Sequence, residues 1–151
     1  MNRPPAISVQ EYERRTTLLQ GELDRAHLDA FLAFTSSWFR SPGTVRYFCG
    51  YDSVFGSAMF LFVPASQQQH LLVDNFWDVI GRPEETRRPL QEFHLTKDLG
   101  QTVSKLLPED AQRVGLVSER FMPAPIHRDL FESLSGREIV DATPQVDVVR
   151  E

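Results

Sequence analysis

Arg46 and Asp52 bracket three aromatic rings and one glycine in the stretch Thr44-Val45-Arg46-Tyr47-Phe48-Cys49-Gly50-Tyr51-Asp52. A guanidinium and a carboxylate are costly to bury unpaired. At an edge they can instead clamp a charged ligand terminus or a partner chain through charge-assisted hydrogen bonds. Gly50 lacks a Cβ, so the backbone can bend sharply there. The expectation is that Arg46 or Asp52 projects from a domain edge together with Tyr51 and Phe55. Tyr47 and Trp38, which flank the same bend, join them as candidate substrate-gating or interface residues. The plainer alternative is a strand, a bulge and a second strand, with Tyr47 and Phe48 serving as core.

Other chemistry has little support in residue spacing. Cys49 is the single cysteine, which rules out an intrachain disulfide and a cysteine-based zinc cluster. No base adjoins it in sequence, so it is expected to be buried and structural. His27, His70, His94 and His127 are scattered, with no His-x-x-x-His pair, and no metal site or catalytic residue is expected in this chain. Asp74 and Asp78 could share a helix face, but two carboxylates are a weak metal signal and capping or solvated roles are expected. Neither Gly-x-x-x-x-Gly-Lys nor Gly-x-Gly-x-x-Gly occurs, so no phosphate cradle is signalled. The Gly-x-Ser-x-Gly nucleophile elbow is missing as well.

Size and charge narrow the class further. A chain of 151 residues suits one domain and buries roughly 68–70% of its unfolded surface, enough for a core without staples. Apolar residues make up 41% and charged residues 25%, the balance of a soluble domain and not of a disordered one. A net charge of −5 with no basic run speaks against nucleic acid or an anionic membrane as partner. The first residues contain no apolar run of signal-peptide length, and no later run reaches ~18 apolar residues, so a cytoplasmic location is expected.

The elements that must position these residues follow from periodicity. Ser8 and Glu11 fit a capping box opening a helix that runs to residues 26–27, with Tyr12, Leu19, Leu23 and Ala26 on one face. Residues 28–34 read as a buried strand and 35–42 as a loop or short helix. Residues 55–63 and 70–74, joined by a polar turn, read as an antiparallel hairpin. Residues 76–81 suit a helical turn, 82–88 a charged connection and 90–95 a short edge strand. A helix capped by Asp98 and ending at Leu107 follows, then a strand at 113–117. Pro123 or Pro125 opens another helix, stopped by Gly136. A strand at 138–141 precedes a final helix beginning at Val146. The order specifies an α/β three-layer sandwich with a mixed sheet of five or six strands flanked by helices.

The segments also resemble the N-terminal domain of the creatinase, aminopeptidase P and prolidase family. The residues that carry the resemblance are Glu11 to Arg15 with Leu18, Leu19 and Leu23, then Leu28-Asp29-Ala30-Phe31-Leu32, and above all Val45-Arg46-Tyr47-Phe48-Cys49-Gly50-Tyr51. The family reads Glu-x-x-x-Arg, Gly-Leu-Asp-Ala-Leu-Leu and Asn-Ile-Arg-Tyr-Leu-Thr-Gly-Phe at these places. Val148-Val149-Arg150-Glu151 resembles its linker helix.

The resemblance implies a non-catalytic accessory domain, residues 1–151, of a metal-dependent Xaa-Pro dipeptidase or aminopeptidase-like hydrolase. Its role would be oligomerisation, as a homodimer, and covering the partner subunit's active site. The pita-bread catalytic domain, with a divalent metal pair (Mn, Co or Zn) on two Asp, one His and two Glu, would follow residue 151 and is the second implied partner. Thr44 stands where the family has Asn, and Ser57 stands where creatinases place a substrate-holding arginine. These departures favour a peptidase parent over the alternative of a creatinase-like C–N hydrolase. A second alternative is a free-standing module that binds a small ligand or a protein.

Overall fold

Seven consecutive buried residues, Ala30–Ser36, form the strand β1 on which the other layers are assembled. The computed structural model describes residues 7–37, 43–51, 53, 55–76 and 92–151. Around β1 lie β2 (Ser57–Val63), β3 (Gln68–Val73), β4 (Glu92–Leu95), β5 (Arg113–Val117) and β6 (Glu138–Asp141), in the order β4-β3-β2-β1-β5-β6. Strand β2 runs antiparallel to both of its neighbours, whereas the β3–β4, β1–β5 and β5–β6 pairs are parallel. The sheet among the described residues is therefore mixed and six-stranded, and the expected hairpin is β2–β3.

Alternation along β1 divides its side chains between two cores. Phe31 and Ala33 pack with α1 (Val9–Arg25), α2 (Thr44–Cys49) and α5 (Thr143–Arg150). Leu32 and Phe34 pack with α3 (Leu99–Leu106) and α4 (Ala124–Ser133) on the other face. The result is a three-layer α/β sandwich. At the start of β1, the Asp29 carboxylate accepts from the amides of Gln112 at 2.8 Å and Arg113 at 2.9 Å. The Asp29 amide donates back to the Arg113 carbonyl at 2.8 Å. This reciprocal set fixes where β5 lies along β1.

Three local expectations change. Ser8 caps α1 by accepting from the Glu11 amide at 3.1 Å, but the Glu11 carboxylate turns to Arg14 and Arg15 and not to the Ser8 amide. The strand and bulge considered for the Arg46 stretch are replaced by α2. Gly43 at φ +68° and Gly50 at φ +72° bracket its six residues, and the left-handed glycine after Cys49 ends a helix by returning its amide to the Arg46 carbonyl at 2.9 Å. Within that turn and a half, Val45, Phe48 and Cys49 share the core-facing side.

Asp98 begins α3 without a side-chain cap; the Gly100 amide is instead satisfied by the Asp129 carboxylate of α4 at 2.8 Å. The helical turn expected at 76–81, beyond Phe76, and the connection at 82–88 lie outside the described residues. Among the described residues, no helix is long and apolar enough to cross a membrane.

Gly100 is where α3 and α4 cross at backbone distance. A Cβ there would stand 2.6 Å from Leu130 Cα, and main chain cannot yield as a flexible side chain does. Gly100→Ala is expected to separate the two helices and to lower stability by about 1–3 kcal/mol despite alanine's better helix propensity. Urea unfolding measures this, and a stabilised variant would show that the helices do not meet here.

Candidate functional site

The family-like stretch is held in place by Tyr47. Two guanidiniums face its ring, Arg15 Cζ at 4.1 Å and Arg150 Cζ at 5.2 Å from the centroid. The Tyr47 hydroxyl donates to the Val149 carbonyl at 3.2 Å, and its own carbonyl accepts from Arg15 Nη1 at 2.8 Å. Arg150 Nη2 also donates to Thr44 Oγ1 at 3.3 Å. Tyr47 thus joins α1, α2 and α5 as a half-buried clasp and does not project. On α1, Glu11 orients Arg15 at 2.8 Å and Arg14 at 2.9 Å. Hydrogen bonds from Arg14 and then Arg15 lower the Glu11 carboxyl from 4.5 to about 2.

Of the residues expected at the edge, Arg46 is exposed on α2 and Phe55 is 57% exposed. Tyr51 is not: the left-handed turn at Gly50 brings it into the core, 2% exposed. Trp38 and Asp52 lie outside the described residues. Phe76, 56% exposed, comes beside this end of the sheet, since Asn75 Nδ2 donates to the Phe55 carbonyl at 3.2 Å. Asp74 accepts from the Ser57 amide at the start of β2 at 2.7 Å, a link between strands and not the helix face considered for it, while Asp78 is outside the described residues. Cys49 is fully buried with Sγ 3.1 Å from the Val45 carbonyl, as a structural cysteine should be.

A cleft of about 790 Å³ opens at the carboxyl ends of β5 and β6, among Ser118, Glu119, Phe121, His127 and Asp141. His127 lies 2.9 Å from Glu119 and stacks on Phe131 with centroids 4.2 Å apart. Asp141 is committed to the first turn of α5, accepting from the Thr143 amide at 2.9 Å and hydroxyl at 2.6 Å. The volume fits a small ligand.

The fold also unites two histidines that look unrelated in sequence. Parallel pairing of β3 with β4 sets His70 opposite Glu92 and Leu72 opposite His94. His70 Nδ1 and His94 Nε2 are 3.1 Å apart, and Glu92 Oε2 lies 3.3 Å from each. Burial pushes the His70 imidazole below its usual value, against the opposing pull of the Glu92 charge. The expectation of scattered histidines fails here. The available signal was Glu92-x-His94 on one alternating strand, but its meaning depends on a register that only the sheet supplies.

Residues 15–151 match the Creatinase/Prolidase N-terminal domain family. The chain belongs to that family. Its fold is similar to the N-terminal domain of cytoplasmic peptidase PepQ from Mycobacterium tuberculosis H37Rv, with TM-score 0.68 and 20% identity over 91% of this chain and 98% of that one. It is also similar to an aminopeptidase P structure from Streptococcus thermophilus, with TM-score 0.66 and 15% identity over 93% of this chain and 98% of that one. The match to the prolidase from Pyrococcus horikoshii OT3, with TM-score 0.62 and 16% identity, covers 91% of this chain but only 35% of that longer one. Comparison with curated protein sequences gives no match.

The depressed Glu11 carboxyl gives this clasp a defined pH signature. A folded-state value near 2 against 4.5 means a stabilising contribution present above pH 4.5 and lost as pH falls through about 2. Urea midpoints of the native chain and Glu11→Gln should therefore differ at pH 6 and converge toward pH 2. A difference that is constant with pH would show that Glu11 stabilises the chain by some other route.

Proposed function

We propose that this domain is a non-catalytic accessory module of a metal-dependent Xaa-Pro dipeptidase or aminopeptidase-like hydrolase. The observation that carries this reading is the family match across residues 15–151, in a fold that occupies about a third of longer peptidase chains. The parent would carry its divalent metal pair in a catalytic domain following residue 151 and would act in the cytoplasm. The module would serve a homodimer by covering the partner subunit's active site.

The arrangement of α2 fits that task. Tyr47 is spent on holding α2 against α1 and α5, which leaves Arg46 presented on a braced surface. Phe55 and Phe76 are large apolar side chains left exposed where the ends of β1 and β3 meet the start of β2, as interface anchors require. Arg46, Phe55 and Asp52 are the residues proposed to contact the substrate or the neighbouring subunit. Tyr51 supports the bend from inside.

The module alone is expected to hydrolyse no Xaa-Pro dipeptide. Joined to its catalytic domain, Arg46→Ala and Phe55→Ala should alter kcat or KM severalfold while changing stability by no more than about 0.5 kcal/mol, as surface substitutions usually do. Unchanged kinetics and subunit association in both variants would refute the covering role. A second reading, a protein-binding module without peptidase activity, is favoured by one comparison. The N-terminal domain of FACT complex subunit SPT16 from chickpea has the same fold, with TM-score 0.65 and 13% identity, over 96% of this chain and 38% of that one. A reading frame continuing past Glu151 into a segment with two Asp, one His and two Glu ligands would decide for the peptidase.

A further inference from the structure

We propose that His70, Glu92 and His94 form a binding site for a divalent first-row transition metal, of the zinc class, that fastens the edge strand β4 to β3. This goes beyond the accessory role above and rests on none of the residues assigned to it. Three donor atoms converge: His70 Nδ1, His94 Nε2 and Glu92 Oε2, separated by 3.1, 3.3 and 3.3 Å. Ligands arranged tetrahedrally at 2.0–2.1 Å from zinc stand about 3.3–3.4 Å from one another. The triangle therefore already has nearly the dimensions that one ion would impose.

The chemistry of the set agrees with its geometry. Two imidazoles and one carboxylate suit zinc and its neighbours, whereas calcium and magnesium prefer sites built from oxygen alone. Without a cation, two imidazole nitrogens and one carboxylate oxygen face one another, three contacts that the two N–H protons of neutral imidazoles cannot all bridge. An ion accepts all three lone pairs at once.

Burial gives the site a rigid side and an open side. The His70 side chain is 2% exposed, and its other ring nitrogen, Nε2, is buried without a hydrogen-bond partner among the described residues. The Glu92 side chain is 53% exposed and that of His94 is 24% exposed, so an ion can enter from the sheet edge with water as its fourth ligand. The structural consequence falls on β4. Among the described residues it has four residues, lies at the edge of the sheet, and touches it through a single parallel pairing. Metal bonds from Glu92 and His94 to an ion on His70 would tie it down.

The test uses the whole chain, stripped of metal by a chelator and then titrated with ZnCl₂ in a calorimeter and with CoCl₂ in a spectrophotometer. Expected are one ion per chain, visible d–d bands from the cobalt form, and a thermal midpoint that rises by several degrees at about 100 times the zinc Kd. His94→Ala should bind about 100-fold more weakly and Glu92→Gln about tenfold more weakly. At that zinc concentration Glu92→Gln should keep about half of the rise and His94→Ala almost none, both with the metal-free midpoint retained. Because Glu92 is half exposed and glutamine matches its shape, that variant remains informative even if His94→Ala fails to fold. The proposal is overturned if millimolar zinc leaves no stoichiometric ion, or if binding and the midpoint rise persist unchanged in either variant.

Discussion

The register between β1 and β5 is the constraint from which the rest of the architecture follows. Strand β1 is buried along its whole length, so a slip of one residue would exchange the contents of both cores. Asp29 prevents that slip by holding two amides at the start of β5 with one carboxylate oxygen. Arg113 extends the lock outward, donating to the Ala26 carbonyl at 2.9 Å and pairing with Glu138 on β6 at 3.0 Å. The entry to β1, the start of β5 and the start of β6 are thereby fixed relative to one another. With these ends aligned, α3 and α4 meet the sheet on one face and α1, α2 and α5 on the other.

A second constraint acts on the face that carries α2. A helix of six residues has little stability of its own. It persists because Val45, Phe48 and Cys49 are buried, because a left-handed glycine stands at each end, and because Tyr47 is gripped by arginines from α1 and α5. The same residues explain why Arg46 can be displayed without loosening the helix. Local rigidity and surface chemistry are divided between neighbouring positions of a single turn.

Much of the layer structure was legible in the sequence because it depends on local pattern. The hairpin read at 55–63 and 70–74, the helix opened by Pro123 or Pro125 and the strand at 138–141 each survive with small shifts of boundary. What was illegible depends on distant partners. Asp98 has the right type and place for a cap, but Asp129 of α4 reaches the Gly100 amide that it would have served. Tyr51 sits in a stretch of polar and aromatic character, and only the angle set by Gly50 decides that it turns inward. His70 and His94 meet through a strand register that no short motif encodes.

The position of β1 has a consequence for how the chain assembles as it is synthesised. Strands β1, β2 and β3 are consecutive, so the antiparallel part of the sheet can form as soon as Val73 has emerged. The other side of β1 waits for β5, which begins only at Arg113. In the interval, a strand that is buried throughout in the finished domain carries a bare edge, the feature that recruits other chains into non-native sheets. A nascent or truncated chain ending before β5 is therefore more adhesive than the finished domain, because its middle strand is still an outer one.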